Sequence, residues 1–203
     1  MNLPALARAV YRHPGLRGKR ELAAVARTLG GDGDDAAVVA DGDRHLVMAA
    51  EAIWPPFVAA QPRAAGVAGV VTVLNDLAAT GAHPVALLDC LVAGDPALAE
   101  ELLAGLRAGA DLYGVPVLGG HATVDAATAP SLSTFAVGRA RVPLRARNAR
   151  PGDAVSLLVC LEGEMLPGGE GDFFSHLRGP RRARAAEDLA LLARVAEAGE
   201  AGP

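Results

Sequence analysis

The stretch "QPRAAGVAGVVTVLNDLAATGA", residues 61–82, limits what this chain can fold into more than any other. Val67, Val70, Val71, Leu74, Leu77 and Ala78 recur at helical spacing, and Gly81 is placed to end the helix. The opposite face, Gly69, Thr72, Val73 and Ala79, is small and nearly apolar, so the helix is expected to be buried on two sides. Into it the sequence sets Asp76. An ionised carboxylate on such a helix is costly to desolvate unless a cation or hydrogen-bond donors meet it.

The flanking sequence supplies the layers. "AAVVAD" and "RHLVMAAE" are strand-like runs separated by Gly42 and Asp43, a hairpin signal. "HPVALLDCLVAG" predicts a strand. "DPALAEELLAGLRAGADLYG" predicts a second helix with Asp95 as N-cap, Pro96 at its first position and Gly114 past its end. "VPVLGG" and "SLSTFAVGRA" add two strands. To about Arg141 the order β-β-α-β-α-β-β predicts an α+β fold, a mixed sheet with helices on one face. Residues 1–30 form an N-terminal helical segment, 31–142 the main domain, and 143–203 a linker and part of a second α/β domain. That part holds a turn at Pro151-Gly152-Asp153, a strand, and a helix from Pro180 to about Ala198. One strand and one helix cannot close a core, so the remainder is expected to be truncated or supplied by another chain.

Charge and composition narrow the function. A net charge of -4 and 3% aromatic residues give neither a field for nucleic acid nor platforms for bases, so no nucleic-acid partner is expected. The run from Ala64 to Ala82 is interrupted by Asn75 and Asp76, which argues against a membrane span. Prolines and arginines break the N-terminus before any signal-peptide core can form. Cys90 and Cys160 sit in apolar strand-like runs, as buried thiols of a reducing compartment, so the expected location is cytoplasmic.

Acidic residues gather near the predicted hairpin: Asp34 and Asp35 before it in "GGDGDDAAVV", and Glu51 at its far end. Carboxylates converging with Asp76 raise one another's pKa unless a hard divalent cation compensates. Oxygen donors without a cysteine or multiple-histidine pattern favour Mg²⁺ or Mn²⁺ over zinc, and Mg²⁺ completes its shell with water and nucleotide phosphates. The alternative is a solvated Asp-Gly turn with Asp76 bonding local backbone. A second group is "VPVLGGHATVD", read as a strand ending at Gly119-Gly120, where amides approach a phosphate and His121, Thr123 and Asp125 project polar groups. Alternatively Gly-Gly is a strand-end turn and His121 is satisfied by a carbonyl. Lys19, the sole lysine, lies between glycine and arginine in "GLRGKREL" and either closes over phosphates or is an ordinary surface residue.

In order, "GDDAAVV", "VLNDLAATGAHPVALL", "LYGVPVLGGHATVD", "FAVGRA" and "ARPGDAV" resemble the superfamily of aminoimidazole ribonucleotide (AIR) synthase, selenophosphate synthetase, thiamine-monophosphate kinase and the hydrogenase-maturation dehydratase. The blocks cover most of residues 33 to 155. The resemblance implies an ATP- and Mg²⁺-dependent phosphoryl-transfer scaffold acting on a small-molecule substrate, and a homodimer made by pairing N-terminal-domain sheets into a barrel. It implies metal ligands at Asp34, Asp35, Glu51 and Asp76, and catalytic roles for Asp34, Asp76 and Lys19. Cofactor contacts fall at Gly33, Asp35, Asn75, Gly119, Gly120, His121 and Thr123.

The chain also departs from its relatives' patterns. "AAEAIWPPF" replaces the "TDTLVEGVHF" of thiamine-monophosphate kinases, and "GGHAT" stands closer to the "GGHT" of selenophosphate synthetases. The latter's reactive N-terminal Cys or Sec is absent unless Lys19 substitutes, and the arginine that precedes "GAKPGD" is out of register, with Arg145 and Arg147 nearby. The whole resembles an uncharacterised AIR-synthase-related branch. Beside the phosphotransferase reading stands a non-catalytic nucleotide-binding or dimerisation module lacking a complete second domain.

Overall fold

The computed structural model describes residues 2–13, 27–30, 34–156, 161–167 and 172–200. An N-terminal helix, α1 (Leu3–Arg12), is capped by Asn2, whose side chain accepts from the Ala5 amide at 3.2 Å. Strands β1 (Ala36–Asp41) and β2 (Arg44–Ile53) form the expected hairpin. Asp41 pairs with Arg44, and Gly42 supplies the positive φ of 63° that the tight turn between them needs at its first central position.

A short helix absent from the sequence reading, α2 (Pro55–Ala60), follows, started by Pro55 and Pro56 where a missing amide hydrogen costs nothing. Then come α3 (Pro62–Ala79), β3 (His83–Ala93), α4 (Pro96–Tyr113), β4 (Val117–Val124) and β5 (Ser131–Ala140). The five strands stand in the order β1-β2-β5-β3-β4. All neighbours are antiparallel except β3 and β4, which the α4 crossover makes parallel. The fold class is therefore as the sequence reading expected.

Helix α3 lies across β2 and β5 and packs against α4. Val70, Val73, Leu74 and Leu77 are wholly buried, as are Leu87, Leu91, Leu102 and Leu132 around them. Burying each such side chain stabilises the fold by about 1.5–3 kcal/mol before conformational entropy is subtracted. The two helices meet at Gly66 and Gly105, where a Cβ on either residue would collide with the other helix's backbone. Asp95 caps α4 by accepting from the Leu98 amide at 2.9 Å, and Gly114 ends it in the left-handed conformation.

Among the described residues no helix packs on the second face of the sheet. Val39, Met48, Leu88 and Phe135 lie on it, each at least 40% exposed. Past β5, the turn at Pro151–Asp153 forms as expected, with the Arg150 amide donating to Asp153 Oδ2 at 2.7 Å. Strands β6 (Glu164–Pro167) and β7 (Asp172–Ser175) make a separate pair. The helix expected from Pro180 to Ala198 is instead a 3-10 turn (Pro180–Arg184) followed by α5 (Ala185–Leu189) and α6 (Leu191–Glu197). The break at Ala190 lets Ala185, and then Ala193 and Ala196, become buried, with an Arg181–Asp188 ion pair beside it.

Candidate functional site

The register of the sheet builds a transverse row on the helix-covered face. Glu51 of β2 stands opposite Thr134 of β5, Thr134 opposite Asp89 of β3, and Asp89 opposite Gly120 of β4. Residues directly opposite share a face, and the burial alternation of β5 identifies it as the helix face. Asp34 and Asp35 lie just ahead of β1, whose pairing with β2 begins at Ala36–Ala49. Helix α3 is pinned over the row by the Thr134 hydroxyl, which donates to the Gly69 carbonyl at 2.7 Å in the core. Gly69 has no side chain because a Cβ would stand 2.9 Å from Thr134 Cγ2.

Asp34 is half-buried beside Arg145, whose Nε lies 3.9 Å from Asp34 Oδ2; the two side chains are 27% and 11% exposed. The segment after β5 therefore returns a nearly buried guanidinium to the start of β1. Asp76, in the last turn of α3, is half-buried with Oδ2 shielded from water, while Asn75 and Asp35 are exposed. The Asp76 backbone carbonyl accepts from the Thr80 hydroxyl at 3.0 Å. Among the described residues no three of His, Cys, Asp or Glu converge as a metal cage. Lys19 and Gly33 lie outside the described residues, as does Cys160; Cys90 is a free, half-buried thiol.

The glycine pair differs from its expected setting. Strand β4 does not end at Gly119-Gly120 but runs on to Val124, because its parallel pairing with β3 continues to Ala93. His121 stands opposite Cys90 and Thr123 opposite Val92, which puts both side chains on the uncovered face, away from Glu51. They face each other there, His121 Nε2 to Thr123 Oγ1 at 3.3 Å. Gly120 points to the helix face, where the Asp89 carboxylate occupies the space a side chain would need.

Asp89 itself escaped sequence reasoning. Its signal is an aspartate at a core-facing position of the alternating "VALLDCLVA" strand. It is 9% exposed, and burial alone pushes its carboxyl pKa up.

This hairpin, long apolar helix and crossover coincide with a sequence family described as "AIR synthase related protein, N-terminal domain", whose model matches residues 33–140. The chain belongs to that family. The AIR synthase related match takes in the row, Asp76 and the glycine pair, and stops just short of Arg145.

Thiamine-monophosphate kinase of Archaeoglobus fulgidus is 30% identical over 162 residues, 70% of this chain and 53% of that protein. An uncharacterised protein of Synechocystis sp. is 30% identical over 135 residues, 66% of this chain and 42% of its own length. The chain thus spans about half the length of these curated relatives. PurL of Thermotoga maritima, solved with ADP, shares the AIR synthase related fold with a TM-score of 0.63 over 83% of this chain and 28% of that one, at 20% identity. Among the described residues no helix is long and apolar enough to cross a membrane.

Proposed function

We propose that the chain binds ATP with Mg²⁺ and takes part in phosphoryl transfer to an oxygen of a small molecule, as a cytoplasmic protein paired through its open sheet face. The observation that carries this reading is the guanidinium of Arg145 set against Asp34 just ahead of β1. A half-buried carboxylate that draws in a nearly buried cation is one that favours positive charge at that point.

The donor set fits Mg²⁺. Asp34 ahead of β1, Glu51 on β2 and Asp76 on α3 are hard oxygen donors of the kind Mg²⁺ takes, and phosphates and water would have to complete its shell. Asp34 and Asp76 would hold the ion, Glu51 would orient it and Asp35 would lie at its outer edge. When bound, Mg²⁺ supplies neutralisation of phosphate charge. Arg145 would move from Asp34 to a phosphate oxygen once the acid is taken up by the metal. Gly33 and Asn75 are proposed cofactor contacts on the motif's pattern, and Lys19, outside the matched residues, is proposed as a catalytic residue that closes over phosphates. Gly119, His121 and Thr123 face the uncovered side and would contribute there, toward a partner copy. The related kinase and the ADP-bound PurL support the nucleotide; neither identifies the substrate.

A thermal-shift series with ATP and Mg²⁺, separately and together, tests this reading. The two together raise Tm by more than the sum of either alone, and Asp76→Asn removes the joint effect while keeping the helical circular-dichroism signal. Calorimetry showing unchanged nucleotide affinity in Asp76→Asn refutes the assignment. ATP binding without turnover on any phosphate-accepting substrate leaves a nucleotide-binding module in place of an enzyme.

A further inference from the structure

A cleft of about 470 Å³ lies between α4 and the start of the edge strand β4, apart from Asp34 and Asp76. Leu103 and Leu106 from the helix and Val115 from the turn after it form apolar walls. At the mouth, Arg107 Nε reaches both carboxylate oxygens of Asp111 at 2.8 Å, so this pair adds no net charge. Asp89 lines the cleft from the sheet side, more than nine-tenths buried. Its carboxyl makes no hydrogen bond or ion pair among the described residues, and nothing offsets its desolvation. The bare backbone of Gly120 is what allows the carboxyl to lie there.

From this geometry we infer a second small-molecule site: the cleft takes a compact apolar ligand carrying a cationic nitrogen donor, an amidinium or primary ammonium, with Asp89 as its acceptor. A hard metal ion needs several oxygen ligands, and the cleft offers one unengaged carboxylate. An anion meets a buried negative charge at the inner end and a neutralised arginine at the mouth. A cationic donor supplies the hydrogen bonds that the folded chain withholds from Asp89, while an apolar body displaces water from leucine and valine walls.

Benzamidinium is the probe and neutral benzamide its control, titrated while the side-chain carboxyl carbon of Asp89 and the amides of α4 and β4 are followed by NMR. Saturable binding in the millimolar range is expected, weakened about tenfold or more by Asp89→Asn and in benzamide, since both lose a charge-assisted pair. Leu103→Trp fills the mouth without touching Asp89 and should abolish binding; it decides the matter if Asp89→Asn does not fold. Non-saturable shifts, equal affinity for benzamidinium and benzamide, or unaltered binding in either folded variant overturns the site.

Discussion

At the scale of single residues, the chain's carboxylates differ in how their charge is met. Asp34 has Arg145. Asp95 has the Leu98 amide in the first turn of α4. Asp89 has neither, so its charged form is costlier in the folded chain than in the unfolded one, which is why its pKa rises. Below the ordinary aspartate range the group is protonated in both states and the penalty is absent. It grows as pH climbs through the folded pKa and is complete above it. Asp89→Asn is therefore expected to raise Tm at pH 7 by about 2–4 °C, on the order of 1 kcal/mol for a chain this long. The two melting curves should converge in acid, and a gap that persists there would mean that the amide acts by packing instead. Thr134→Val makes the opposite case: it removes the shorter of two hydroxyl donors to the Gly69 carbonyl, leaving Thr72 at 3.3 Å, and should cost about 0.5–1.5 kcal/mol in urea unfolding.

At the scale of elements, the sequence was most readable where a pattern has one physical solution. The α3 helix could only be sandwiched, because it has no polar face, and the structure sandwiches it between β2, β5 and α4. The α4 boundaries followed from Asp95, Pro96 and Gly114, each of which acts locally. Strand β4 runs past the break that its glycines signal locally, because tertiary pairing to β3 overrides them and Gly120 makes room for a neighbour's carboxylate. Arg145 beside Asp34 joins residues over a hundred positions apart, and no local rule reaches that far. The α3–α4 contact is equally invisible to periodicity, yet it has a sharp test. Gly105→Ala places a methyl against the Arg63 carbonyl with no flexible side chain to yield. The helices must separate, and the expected loss is about 1–3 kcal/mol, read as a lower urea midpoint with the far-ultraviolet spectrum retained.

At the scale of the whole molecule, the two faces of the sheet are treated unequally. One is sealed by α3 and α4; the other leaves Phe135 and Leu88 directly opposite each other, with Met48 and Val39 continuing the apolar surface across β2 and β1. Monomers seldom leave a contiguous apolar face of this kind to water, and a second copy of the same face is the self-complementary cover that a two-fold axis supplies. Sedimentation velocity at micromolar concentration is expected to give a dimer, and Phe135→Lys a monomer, since a charge in the middle of such an interface has no partner there. Because Phe135 points away from α3, the substitution should leave the helix-side core intact. The wild-type Tm should then rise with protein concentration and the variant's should not, as mass action requires when folding and association are linked. A wild-type chain that sediments as a monomer with a concentration-independent Tm would leave this face to some other cover, and with it the proposed contribution of Gly119, His121 and Thr123 across the interface.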